Sequence, residues 1–320
     1  MTTALATTVT AGLVASTALP PDRHPAAVYV ASLTSPNSRK GMRAALDTAA
    51  KTMSGGAMKA AELDWAVVRF QHVAALRAAL LDRLAPATVN AVLAAVRGTA
   101  KAAWSLGYID ADTLAKIKDG ARSVKNERLP AGRSLGQGEL RAMFDVCRAD
   151  ASAAGRRDAA VLAVLYGAGL RCAELCGLQR ADFDRETGRL VVRAGKGRKE
   201  RVAHATNGSA TALCAWLDVR GDDDGALFVA VNKGGRLEFR QLATATVWAM
   251  VQRRASEAGV RDVSPHDFRR TFITHLLDAN ADLVTVQRMA GHKKLETTAR
   301  YDRRDEAAQR RASELLHVPV

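Results

Sequence analysis

SPHDFRRTFITHLLDANADLVTVQRMAGHKKLETTARY, residues 264–301, holds the pattern on which the fold and the chemistry both turn. Ser264 suits an N-cap and Pro265 suits the first position of a helix, so a helix is predicted over 265–277. His266 and Arg269 are then three residues apart on one face, and Arg270, four residues on, borders the same face. A second apolar helix is predicted over 283–290, with Gly291 as its end. His292 follows in a turn before Lys293 and Lys294, and Tyr301 comes nine residues later, between Arg300 and Asp302. Taken singly, these signals are bland. A helical histidine is more often an ordinary half-buried residue, and a tyrosine among charges is usually a surface aromatic. An unperturbed phenol titrates near pH ~10, so Tyr301 becomes a nucleophile only where cations stabilise its phenolate.

Two upstream segments share this character. Tyr166-Gly167-Ala168-Gly169-Leu170 precedes Arg171, with glycines ending one helix and Arg171 starting the next. A cation is badly placed at a helix start on its own account. The same position suits an anion held jointly by helix N–H groups and a guanidinium. An ordinary ion pair with Glu174, three residues on, explains Arg171 equally well. Lys196 lies between Gly195 and Gly197 on a predicted hairpin between strands 189–193 and 201–204, among Arg193, Arg198, Lys199 and Arg201. Such a lysine either touches phosphate nonspecifically or, crowded by cations, donates a proton.

The chain has 320 residues, 48% of them hydrophobic, and a formal net charge of +14. That suits two domains with real cores and a polyanionic partner, usually nucleic acid. Residues 1–23 are expected to be a disordered leader. Residues 24–118 are expected to form an all-helical domain of about four helices, with Ser38 capping the first and others over 63–84 and 88–106. Residues 119–133 have linker composition and carry Arg122, Lys125, Arg128 and Arg133, either in contact with DNA or in a solvated loop. Residues 134–320 are expected to form a second, mixed domain. Its predicted helices are 138–147, 156–166, 242–257, 265–277 and 283–290, with a third short strand at 228–231. The charged tail 304–316 puts Ala308, Ala312, Leu315 and Leu316 on one side, for packing on its own domain or docking onto a neighbouring subunit. Cys147, Cys172, Cys176 and Cys214 are too few and too scattered for a disulfide framework or a zinc site, and are expected to be reduced and mostly buried. No run of about 18 apolar residues suggests a membrane span. The expected location is the cytoplasm.

In sum and in order, Gly169-Leu170-Arg171-Cys172-Ala173-Glu174-Leu175, Gly195-Lys196-Gly197-Arg198-Lys199-Glu200-Arg201, His266-Asp267-Phe268-Arg269-Arg270-Thr271-Phe272 and Ala290-Gly291-His292 through to Tyr301 resemble the tyrosine site-specific recombinases, the phage integrase and Xer-like family. The resemblance is strong over about 134–305 and looser before that. It implies a mainly α fold with a small β-sheet, in which a helical core-binding domain and a mixed α/β catalytic domain form a clamp on DNA. It implies an enzyme that cleaves and rejoins DNA through a 3′-phosphotyrosyl intermediate, for integration, excision or resolution.

In that chemistry Tyr301 is the nucleophile. Arg171 and Arg269 grip the non-bridging oxygens, Lys196 is the general acid, and His266 and His292 assist at the phosphate. The family pattern selects Arg269 over Arg270. Glu174 supports Arg171 from behind. Arg39, Lys40, Arg43, Arg122, Lys125, Arg198, Lys199, Arg201 and Arg270 are expected to contact DNA. No metal, nucleotide or other cofactor is expected. The partners implied are double-stranded DNA and further copies of the chain, in a tetramer on two sites, with a need for an accessory DNA-binding factor left open. The rivals are a type IB topoisomerase, which shares the chemistry, a DNA-binding protein without catalysis, and, more remotely, a metal-dependent phosphodiesterase.

Overall fold

Proline, serine, aspartate and glycine bound several of the described helices. The computed structural model describes residues 13, 19–125, 132–193, 200–302 and 313–314. They fall into two compact units, residues 1–129 and 130–320. The leader at 1–12 and 14–18, the middle of the expected linker at 126–131, the hairpin tip at 194–199 and the tail at 303–312 and 315–320 lie outside the described residues.

Among the described residues the first unit has five helices: α1 (Pro25–Ser32), α2 (Pro36–Met53), α3 (Phe70–Leu81), α4 (Pro86–Ser105) and α5 (Ala111–Gly120). That is one more than the sequence suggested. The expected Ser38 cap moves to Ser35, whose Oγ accepts the Ser38 N–H, because Pro36 then fills the first helical position. The helix expected over 88–106 starts at Pro86 for the same reason. The long helix expected from Leu63 to Leu84 contracts to α3. Residues 60–67 turn instead, burying Leu63 and Trp65, and the indole donates to the Ala60 carbonyl at 2.8 Å.

The core of this unit gathers Leu46, Met53, Val73, Leu76, Leu93 and Val96. The start of the expected linker is tied down here. Asn90 both donates to the Val124 carbonyl (2.9 Å) and accepts its N–H (2.7 Å), and Ala121 is fully buried. Arg39, Lys40, Arg43, Arg122 and Lys125 are all exposed on this unit.

The second unit contains α6 (Gln137–Ala149), α7 (Ala153–Gly167), α8 (Cys172–Gly177), α9 (Gly208–Arg220), α10 (Thr244–Glu257), α11 (Pro265–Asp278), α12 (Leu283–Ala290) and α13 (Leu295–Ala299). Strands β1 (Arg189–Val192) and β2 (Arg201–His204) pair antiparallel, with Val192 opposite Arg201, and β3 (Val229–Val231) pairs with β4 (Leu237–Gln241). α7 is the central rod. Ala160 through Leu165 are all buried, and α6, α8, α9 and α11 pack on it. An apolar helix of this kind needs neighbours on every side. Its Asp158 is fully buried and paired with Arg157, Arg253 and Arg254.

Helix α9 and strand β4 were not anticipated. Of the four thiols, Cys147 and Cys176 are buried, while Cys172 and Cys214 are half-buried, so the expectation of mostly buried cysteines holds for two of them. Among the described residues, no helix is long and apolar enough to cross a membrane.

Candidate active site

Three chain ends converge in the second unit: the start of α8, the start of α11 and the end of α12. Gly169 reaches the first of these at φ 59°, where a Cβ would strike the Phe272 ring. Arg171 is then the N-cap of α8, and Glu174 closes the cap. Its Oε2 accepts from the Arg171 N–H (2.9 Å) and from Arg201 Nη2 (2.7 Å), and its Oε1 accepts from Arg171 Nη1 (2.6 Å). A carboxylate in the first turn also matches the positive end of the helix. Burial alone would raise the Glu174 carboxyl. The Arg171 N–H, Arg201 and the Arg171 guanidinium outweigh it, holding the group below the usual carboxylate range.

The start of α11 is locked in a comparable way. The Asp267 carboxylate accepts from the Ser264 N–H (2.8 Å), the Ser264 hydroxyl (2.6 Å) and the Arg133 N–H (2.8 Å). Thr271 Oγ1 donates to the Asp267 carbonyl and accepts the Leu135 N–H. The segment entering this unit is thus stapled to the helix that carries His266, Arg269 and Arg270.

The end of α12 supplies the third wall. Its last carbonyls, Met289, Ala290 and the capping Gly291, have no intrahelical partners of their own. Each accepts from a different arginine: Arg201 Nη1 to Met289 (2.8 Å), Arg269 Nη2 to Ala290, and Arg171 Nη2 to Gly291 (3.0 Å). Arg269 also donates to the Gly169 carbonyl at 2.5 Å. The negative end of one helix therefore gathers three cations drawn from α8, β2 and α11, and Glu174 supplies the counter-charge.

Arg171 keeps 38% of its side chain exposed, whereas Arg269 is 1% exposed. Desolvation and the nearby Arg171 charge pull the Arg269 pKa down to about 9, so the group stays cationic at neutral pH. His266 is exposed at the rim, yet desolvation in this crowded corner and the charges of Arg269 and Arg270 lower its pKa. His292 is lowered further, to about 4, by desolvation and then by Arg269 and Arg171. Both rings are therefore neutral at pH 7.

Tyr301 lies beside this cluster. Its ring stacks on His292, with centroids 6.2 Å apart and planes 22° apart, and the Arg270 guanidinium carbon lies 5.2 Å from its centroid. The ring packs on the Phe272, Ile273, Leu277, Val286 and Ala290 cluster. His292 Nδ1 is 2.9 Å from the hydroxyl of the fully buried Thr298. Among the described residues, no group of three or more His, Cys, Asp or Glu side chains is placed to hold a metal ion.

The structure thus brings together Arg171, Glu174, His266, Arg269, His292 and Tyr301. Lys196, Arg198 and Lys199 lie outside the described residues, although β1 and β2 lead to and from them. Arg201 and Arg270 depart from the expectation of outward DNA contacts. Arg201 turns inward to Glu174 and α12, and Arg270 is 6% exposed against the Tyr301 ring. Thr298 and the α12 carbonyls were not anticipated at all. Gly291 was read as a helix end, but its second duty was not legible. At φ 62° an added Cβ would lie 2.9 Å from Arg201 Cδ and Nε and 3.7 Å from Arg171 Nη1. Gly291→Ala is expected to cost about 1–2 kcal/mol from the left-handed backbone alone, read as a lower unfolding temperature. It should also displace the arginines and slow any chemistry at the site.

The lowered His292 pKa has a sign that can be tested. The folded value lies below the unfolded value of about 6.5, so the unfolded chain binds the extra proton first. Stability from this group is complete above about pH 6.5 and is lost as the pH falls towards 4. The drop in unfolding temperature between pH 7 and 4.5 is expected to be smaller in His292→Gln than in wild type. An equal drop in both would show that His292 does not contribute.

Comparison with known proteins is consistent with this geometry. Residues 133–308 match the phage integrase family. Tyrosine recombinase XerC of Corynebacterium efficiens is 38% identical over 218 residues, covering 67% of this chain and 66% of that protein. Tyrosine recombinase XerA of Thermococcus kodakarensis is 35% identical over 187 residues, covering 58% and 64%. The chain thus spans just under two thirds of the length of these relatives. The Tn1549 transposon integrase, solved in complex with transposon right end DNA, superposes with a TM-score of 0.67 at 15% identity, over 92% of this chain and 98% of that one. A lambda integrase dimer bound to a COC′ core site gives 0.64 at 14% identity, over 90% and 77%. At these identities the structures establish a shared fold.

Proposed function

Because the chain belongs to the phage integrase family, we propose that it is a site-specific DNA recombinase that cuts and rejoins strands through a bond between Tyr301 and a 3′ phosphate. One observation carries this: a phenol stacked on a neutral imidazole, that of His292, beside a guanidinium cluster that is already assembled. In the proposed step Tyr301 Oη attacks phosphorus in line. The P–O bond to Tyr301 forms as the P–O5′ bond breaks. The phenolic proton passes to His266, and Lys196 protonates the leaving 5′ oxygen.

Arg171 and Arg269 hold the non-bridging oxygens, where charge builds. Each terminal guanidinium nitrogen carries two N–H groups, so the bonds to the α12 carbonyls leave donors for phosphate. With Thr298 Oγ1 as donor to His292 Nδ1, the tautomer this mechanism requires, the Nε2–H is left for a phosphate oxygen. Rejoining reverses these steps with another 5′-hydroxyl as nucleophile. No ATP is consumed, because the phosphotyrosine conserves the phosphodiester.

Double-stranded DNA is the proposed partner. Both units are proposed to contact it, with Arg39, Lys40, Arg43, Arg122 and Lys125 contributing backbone contacts whose strength falls steeply with salt. Exchange between two duplexes calls for four copies on two sites, acting in the cytoplasm where the chromosome is accessible.

The test is covalent capture. The protein is incubated with a pool of nicked duplexes of randomised sequence, and detergent-resistant adducts are recovered. Peptide mapping is expected to place the DNA on Tyr301, through a 3′ phosphate, with EDTA making no difference. Linkage at another residue, or strand breakage only in the presence of a divalent metal, contradicts the proposal.

A further inference from the structure

We propose that Arg270 is a positioning residue that docks the Tyr301 ring for attack, rather than a contact to DNA. This rests on the assignment of Tyr301 as the nucleophile. Arg269 and Arg270 are adjacent on α11, so their side chains diverge by about 100°. Arg269 turns to the Gly169 and Ala290 carbonyls. Arg270 turns to the Tyr301 ring, with its guanidinium carbon 5.2 Å from the centroid, inside the range of a cation–π contact. It is 6% exposed and therefore poorly placed to meet a DNA backbone from solvent.

The platform beneath it is stiff. Arg270 follows Asp267, whose carboxylate is already held by Ser264 and the Arg133 N–H. Gly132 lies close enough that an added Cβ would approach Asp267 Oδ1 and come within 3.6 Å of Arg270 Nε. Tyr301, by contrast, sits in the turn that follows the short helix α13, where its N–H donates to the Thr298 carbonyl (2.9 Å) but the backbone does not set the direction of its ring. The contacts that fix its ring are the His292 stack, the apolar cluster and Arg270. As the phenolic proton leaves, negative charge spreads into the ring and its attraction to the guanidinium strengthens. The contact therefore favours the attacking state over the resting one. A misplacement of about 1 Å in a reacting group can cost roughly 100-fold in rate, which sets the scale of the effect.

The experiment compares wild type, Arg270→Lys and Arg270→Leu on the nicked duplex recovered by covalent capture. Single-turnover adduct formation at saturating DNA is expected to fall roughly 10–100-fold in Arg270→Leu, with partial recovery in Arg270→Lys and DNA affinity within about threefold of wild type. A duplex with sulfur in place of the leaving 5′ oxygen relieves the need for leaving-group protonation. It should speed a Lys196 variant and leave the Arg270→Leu deficit in place. Should Arg270→Leu fail to fold, Arg270→Lys is measured by fluorine NMR on 3-fluorotyrosine-labelled protein without DNA. Of the four tyrosines, the signal assigned to Tyr301 by its loss in Tyr301→Phe is expected to shift and the rest to stay.

The outcomes separate. A weaker DNA affinity with a shallower salt slope, normal cleavage at saturation and an unmoved Tyr301 signal would make Arg270 a DNA contact and overturn the inference. Adduct formation that persists in Tyr301→Phe would overturn the recombinase reading itself.

Discussion

Tyr301→Phe is expected to bring covalent capture of DNA below detection while leaving folding and DNA affinity close to wild type. The ring does the packing and the hydroxyl does the chemistry. Every contact that seats the side chain uses the ring: the His292 stack, the Arg270 guanidinium and the apolar cluster of α11 and α12. The backbone N–H of residue 301 donates to the Thr298 carbonyl whichever side chain is present. Phenylalanine keeps all of this, so the unfolding temperature should move by no more than about 2 °C, the shift expected for ~0.5 kcal/mol in a unit of this size. The loss of adduct then measures the nucleophile alone. No other described phenol or thiol is seen against this arginine cluster in a way that could substitute for it: Tyr166 is engaged with His275, and Cys172 faces the start of α10. Undiminished capture by the variant would remove Tyr301 from the mechanism, and with it the reason for the cluster beside it.

The legible part of this site was written in local signals. Ser264-Pro265 marks a helix start, Gly291 a helix end, and Gly169 a turn into Arg171, so three of the converging chain ends could be placed from backbone chemistry alone. The helix 283–290, read from its apolar run and Gly291, matches the structure to the residue, and the structure adds an Asp282 cap at its start.

What was not legible depends on which neighbours pack where. Arg201 reads as one more cation on a basic hairpin. Only the tertiary fold shows that Glu174 is buried and must answer two guanidiniums. Arg269 and Arg270 are the same residue type side by side; the family pattern selects Arg269, but that Arg270 turns to the Tyr301 ring is decided only by the packing. Helix α9 opens at Asn207 with a positive φ and no capping side chain, and buries Leu213, Trp216 and Leu217 only because α7 lies alongside. Strand β4, Leu-Glu-Phe-Arg-Gln, has an exposed Phe239 and no buried alternation, and pairing with β3 alone defines it.

Glu174→Ala tests the other half of the arrangement, the counter-charge that lets cations gather before any phosphate arrives. The carboxylate is buried, accepts three hydrogen bonds and pairs with Arg171 and Arg201, the latter side chain only 14% exposed. Removing it leaves Arg201 beside Arg269 and Arg171 with only the α12 carbonyls as compensation. Breaking one side of a buried pair costs about 3–5 kcal/mol, here roughly 6–20 °C in unfolding temperature. Cleavage should also fall, because Arg171 loses both its cap and its aim. Two further variants separate these effects. Glu174→Gln keeps acceptor and shape but not charge, and should recover part of the stability. Adding Arg201→Met to Glu174→Ala removes the stranded cation, and should restore stability further without restoring cleavage, since Arg171 is still unsupported. If Glu174→Ala instead unfolds and cleaves like wild type, the α12 carbonyls alone hold the cluster, and Glu174 is an ordinary helix cap.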